Sequence, residues 1–142
     1  KDSMKKILTV ALLLLLVIGL CSCGTKNPMQ DSLTATRNTG SIEIRVYSGT
    51  DQTYTDYVIT DRAAVREICD TFSTLELEKV KITEPLEMSH WVIFCNANGV
   101  AVKSLYVIAG MNVIDHGHLY RVQDDLDVHA YVAGLVEGAE QK

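Results

Sequence analysis

His90-Trp91-Val92-Ile93-Phe94-Cys95-Asn96-Ala97-Asn98-Gly99-Val100-Ala101-Val102-Lys103-Ser104-Leu105-Tyr106-Val107-Ile108 is the stretch that decides the fold. Two apolar runs rich in β-branched and aromatic residues, 90–95 and 100–108, flank four residues ending in Asn-Gly. A tight turn needs residues that tolerate positive φ, and Asn-Gly supplies them, so the stretch predicts an antiparallel hairpin.

Downstream, Met111–Ile114 and His118–Val122 predict a second strand pair around Asp115-His116-Gly117. A helix is expected from Asp124 or Asp125 to Glu137, with an acidic first turn that suits the helix dipole and Gly138 as its stop. Upstream, Ile42, Ile44 and Val46 alternate with Glu43, Arg45 and Tyr47, the period of a half-buried strand. Ser48-Gly49-Thr50-Asp51 reads as a turn and Thr53–Ile59 as the returning strand. Thr60 or Asp61 then caps a helix running to about Ser73, whose buried stripe is Val65, Ile68, Cys69 and Phe72. Leu75–Ile82 is expected as a strand with one charged side, and Pro85 breaks the chain. The order β-β-α-β-β-β-β-β-α predicts an α+β domain: one antiparallel sheet with two amphipathic helices packed on one face.

The chain has 142 residues, enough for one domain and a tail. Beyond residue 22 it carries 10 basic against 17 acidic side chains, a formal net charge of −7. That balance argues against nucleic acid as a partner of the folded part.

Lys5-Lys6 precede Ile7–Leu20, fourteen residues interrupted only by Thr9 and Gly19. As a helix this run reaches roughly 21 Å, short of the ~30 Å hydrocarbon core, so it reads as an export signal rather than a permanent span. Lys1-Asp2-Ser3 stand ahead of Met4, the expected initiator. Leu20-Cys21-Ser22-Cys23-Gly24 resembles the lipobox of bacterial lipoproteins, with Leu at −3, a small residue at −1 and Cys at +1. The resemblance implies a diacylglycerol on the Cys23 thiol and cleavage just before it. Two acyl chains suffice for stable anchoring where one does not. The implied destination is the outer face of the cell membrane.

Gly24–Gly40 is rich in Gly, Ser, Thr and Asn and lacks an apolar period. It reads as a tether with a reach of roughly 21–25 Å. The expected organisation is a signal peptide over 1–22, a lipidated Cys and tether over 23–40, and a domain over 41–142. That domain resembles the small globular domains of Gram-positive lipoproteins that carry no assigned activity. The likeness rests on the Thr-Asp-capped helix, the aromatic strand 90–94, the Asn-Gly hairpin and the Gly-His-Leu-Tyr-Arg-Val strand at 117–122. It implies a fold and a compartment and transfers no functional residue.

Several constellations carry chemistry beside a plainer reading. Cys69 and Cys95 are two buried thiols or, since export permits it, a disulfide worth roughly 3–4 kcal/mol in the chain-entropy model. His116 and His118 with Asp115 have the donor chemistry of a zinc or copper site that His90 or His129 would complete; Asp, His and Gly are equally turn residues. Trp91, Phe94, Tyr106 and Tyr120 offer an aromatic platform for sugar or peptide, or core packing. Asp124, Asp125 and Asp127 have a calcium-like look but lack the Gly and distal Glu of the twelve-residue loop, which favours a helix start. No nucleophile elbow, phosphate loop, zincin or dinucleotide motif is present. The expectation is a non-catalytic module without cofactor that binds an envelope protein or ligand, with a metal- or small-ligand-binding lipoprotein as the alternative.

Overall fold

The computed structural model describes residues 37–142; Cys23, the signal segment and most of the tether lie outside the described residues. The elements are β1 (Thr39–Ser48), β2 (Thr53–Ile59), α1 (Arg62–Ser73), β3 (Leu77–Val80), β4 (Met88–Asn96), β5 (Ala101–Ile108), β6 (Asn112–Asp115), β7 (His118–Val122), α2 (Val128–Glu137) and β8 (Glu140–Gln141). The strands form one antiparallel sheet in the order β3-β7-β6-β5-β4-β1-β2-β8. The fold is α+β.

The central hairpin forms around its Asn-Gly turn. Gly99 takes φ 75°, and the Asn96 side-chain oxygen accepts from the backbone N–H of Asn98 at 2.9 Å and of Val100 at 3.0 Å. The same loop presses on β1 at Gly40, where a Cβ would come within 2.8 Å of the Ala97 backbone. Only glycine fits there, and the register of β1 on β4 shifts beside it.

Register assigns the faces. Ile42 pairs with Phe94 and Ile44 with Val92; Val92 pairs in turn with Leu105, and Val107 with Val113. These side chains share one face and, with Val65, Ile68, Cys69 and Phe72 of α1 and Val128 and Val132 of α2, belong to one buried cluster. Phe72 meets Phe94 edge-on at 5.7 Å between centroids.

α1 starts where the sequence places it, with the Asp61 carboxylate accepting from the Ala64 N–H at 2.9 Å. α2 does not. It is capped by Asp127, whose side chain accepts from the Ala130 N–H at 3.0 Å, so Asp124 and Asp125 precede the helix and its first turn has no acidic residue. Asp124 instead accepts from the Glu76 N–H at 3.3 Å and ties the connection to the start of β3. β3 is shorter than the expected 75–82, since only Leu77–Val80 finds partners along the five-residue β7. β8, absent from the sequence reading, pairs two residues with Tyr57 and Val58 of β2.

Candidate functional site

Alternation leaves a second set of side chains on the other face of the sheet. Asp56 of β2 pairs with Arg45 of β1, Arg45 with Trp91 of β4, Trp91 with Tyr106 of β5 and Tyr106 with Ile114 of β6. Direct cross-strand partners carry Cβ atoms about 4.5–5.5 Å apart, close enough for planar groups to stack. They do. The Trp91 and Tyr106 rings lie 5.3 Å apart between centroids at 18°, and the Arg45 guanidinium carbon sits 5.4 Å from the centre of Trp91. It also sits 5.6 Å from the centre of Tyr54, which meets Tyr47 at 5.1 Å in a tilted contact.

Arg45 is fixed by its fork. Its Nε donates to Asp56 Oδ1 at 2.7 Å and its Nη2 to Oδ2 at 2.9 Å. The hydrogen bonds from Arg45 hold the Asp56 carboxyl below its usual range, and those to Asp56 raise the Arg45 guanidinium. Two strand positions away in β1, Glu43 accepts from the Lys142 ammonium at 2.6 Å. Arg45 and Lys142 are therefore each matched to an anion.

A groove of about 880 Å³ opens here, lined by Arg45, Tyr47, Tyr54, Trp91 and Tyr106 together with Leu86, Glu87 and Met88. Tyr54 is 63% exposed, Met88 47% and Tyr47 39%. The Trp91 indole nitrogen is buried without a hydrogen-bond partner. A buried Trp N–H usually has a partner, and leaving a donor unmet costs about 1–3 kcal/mol.

At one end of the groove His90, on the core side of β4, meets His129 of α2 with ring centroids 5.2 Å apart. His90 Nδ1 and the Ser89 hydroxyl share a 2.8 Å hydrogen bond, and Ser89 also donates to the Val107 carbonyl at 3.2 Å. Burial, then the neighbouring His129, lower the His90 pKa below the ordinary 6.5.

Of the four aromatics picked from the sequence, the structure brings together only Trp91 and Tyr106. Phe94 lies in the core against Phe72, and Tyr120 packs against the same core from β7. Arg45, Tyr47 and Tyr54 are the members that sequence reasoning missed. Their signal was the alternation of β1, which sets Arg45 and Tyr47 opposite the apolar Ile44 and Val46.

Of the proposed metal donors, His116 Nε2 comes within 3.8 Å of Asp115 Oδ1, and no third donor joins them among the described residues. Asp115 and His118 pair across a two-residue turn in which His116 (φ 47°) and Gly117 (φ 75°) both take positive φ, the signature of type I′. Asp115 turns inward, where its Oδ1 accepts from the Lys103 ammonium at 2.7 Å with both side chains buried. His116 and His118 stay exposed, and His90 and His129 meet each other elsewhere. Among the described residues no group of three or more His, Cys, Asp or Glu side chains can hold a metal ion. Asp124, Asp125 and Asp127 likewise form no such group.

Cys69 and Cys95 are both buried and free. Burial raises both thiols above their usual pKa, which keeps them protonated and poorly nucleophilic. Cys69 belongs to the core cluster, whereas Cys95 follows Phe94 on the strand and pairs with Ser41. Among the described residues no helix is long and apolar enough to cross a membrane. Comparison of the chain with protein-family models, with curated proteins and with solved structures finds no match in any of the three.

Proposed function

We propose that this chain is a non-catalytic binding module, held on the outer face of a bacterial cell membrane by a lipid on Cys23. Its partner sits on the sheet face that carries Arg45, Trp91 and Tyr106. We also infer that α1 and α2 lie together on the opposite face. The support is that their buried residues share one cluster with the alternate set of strand residues, Ile42, Ile44, Val92 and Leu105. The groove runs over the Arg45 face and reaches His90 of β4 and His129 of α2 at one end.

The observation that carries the reading is the cross-strand stack Arg45-Trp91-Tyr106 with Tyr54 beside it. Tyr, Trp, Met and Arg are the side chains enriched at the centres of binding surfaces, where large rigid rings give contact area at low entropic cost. The anchoring half of the proposal rests on the basic start, the apolar length and the Leu20–Cys23 box together.

A photo-crosslinking residue in place of Tyr54, or of Arg66 on the exposed side of α1, tests the binding face in intact cells. A recurrent adduct from position 54 that position 66 does not give is expected. Equal yields from both, or none from 54, overturn the assignment. Fractionation of Cys23→Ala tests the anchor: release from the membrane fraction is expected, and unchanged retention without lipid label removes it.

A further inference from the structure

We infer that His90 and His129, at the end of the groove, form a two-imidazole site for a late first-row divalent metal ion, copper above zinc. The site does not depend on what occupies the Arg45-Trp91-Tyr106 stack. The start of β4 supplies His90 and the first turn of α2 supplies His129, and their ring centroids lie 5.2 Å apart at 79°. Metal–nitrogen bonds of about 2.0–2.1 Å, at angles from square-planar to tetrahedral, set the centroids of two imidazoles on one ion roughly 4.5–5.5 Å apart. The pair already stands at that spacing.

Hydrogen bonding decides which nitrogen is available. The Ser89 hydroxyl has one proton, which goes to the Val107 carbonyl at 3.2 Å, so its oxygen accepts from His90 Nδ1–H at 2.8 Å. That fixes the tautomer and leaves a lone pair on Nε2. A ligating imidazole is held in this way, oriented from its far nitrogen. Nε2 has no hydrogen-bond partner among the described residues, although His90 is only 8% exposed. Among those residues Trp91 Nε1 is the one fully buried side-chain nitrogen or oxygen left unpaired, so His90 Nε2 keeps access to the groove it lines. By the same criterion both nitrogens of the half-buried His129 are unpaired and reachable. A histidine buried only for packing has its polar atoms paired; this one presents a bare lone pair beside a second imidazole. A lone pair turns away carboxylates and phosphates. Imidazole nitrogens suit copper, zinc and nickel, whereas calcium and magnesium take oxygen ligands, and copper binds most tightly of the divalent series. Two protein donors leave the remaining positions to water, which makes the ion exchangeable.

Trp91 follows His90 in the chain, lines the same groove and is the single tryptophan, so bound Cu²⁺ quenches its emission. Full-length protein in detergent micelles, stripped of metal, is titrated with Cu²⁺ alone. Pulsed electron paramagnetic resonance of the copper form counts the coordinated imidazoles. Saturable one-to-one quenching and a count of two are expected. His129→Ala, at a half-buried position, should weaken Cu²⁺ binding at least ~10-fold and lower the count to one, with circular dichroism unchanged. The double variant His116→Ala/His118→Ala should change neither reading. Four results overturn the inference: no saturable quenching, a count other than two in the unmodified protein, full-strength binding after His129→Ala, or binding lost in the double variant. The count on the unmodified protein needs no substitution, so it decides even where His129→Ala does not fold.

Discussion

Arg45 lies against Trp91 across β1 and β4, its guanidinium carbon 5.4 Å from the ring centroid, and the two residues are direct register partners. Two hydrogen bonds to Asp56 hold the guanidinium against the ring. Lysine keeps the charge and loses both the fork and the flat contact. Arg45→Lys should therefore alter Trp91 emission and raise its accessibility to acrylamide while leaving the far-ultraviolet circular dichroism unchanged. Unaltered quenching would show that Arg45 does not order the ring.

Trp91 carries a buried N–H with no partner, so phenylalanine removes a penalty along with ring area. Trp91→Phe should change unfolding free energy by less than about 1 kcal/mol, measured by urea denaturation. A loss of 3 kcal/mol or more would assign Trp91 to stability rather than to binding.

Lys103 and Asp115 form an ion pair in which both side chains are more than nine-tenths buried, at 6% and 4% exposure. Removing one partner leaves a buried charge unmatched. Lys103→Met and Asp115→Leu should each cost about 3–5 kcal/mol, and the double variant should recover most of that loss. Additive single losses in a double-mutant cycle would contradict the pairing.

His90 is buried with its pKa below 6.5, lowered by burial and then by His129. Between its folded value and the unfolded value the unfolded chain binds the extra proton, so stability rises with pH through that window and falls on acidification below about 6.5. His90→Phe should flatten that part of the stability profile. An unchanged slope would place the acid sensitivity on another group.

His116 sits at φ 47° in the type I′ turn, a conformation that Asn tolerates better than His. His116→Asn is expected to stabilise the domain by about 0.5–1 kcal/mol in thermal or urea unfolding. Destabilisation would show that the imidazole is doing something beyond filling the turn.

The legible parts of the fold are those set by chemistry within a few residues. The Asn96–Gly99 turn closes the hairpin, but it is the register shift between Phe94 and Cys95 that makes Trp91 and Tyr106 partners. Asp61 reads as a cap because a carboxylate before an apolar helical stripe has one obvious acceptor role. The run Asp124-Asp125-Leu126-Asp127 offers three such carboxylates, and tertiary contact decides among them: Asp124 is drawn to Glu76, 48 positions away, which leaves Asp127 to cap. A two-residue strand such as β8 carries no periodicity to read. Arg45 meets Trp91 only because β1 pairs with β4 across the intervening β2, α1 and β3. Nothing local to either residue announces that meeting, which is why half of the site was invisible in the sequence.

Hydroxyl-radical footprinting of the full-length protein, on intact cells against purified protein in micelles, tests the binding face most directly. Tyr47 and Tyr54 should be protected on cells while Tyr131, beside Phe72 on the core side, reacts equally in both. Equal labelling of Tyr47 and Tyr54 in the two preparations, or protection confined to the exposed side of α1, would contradict the account.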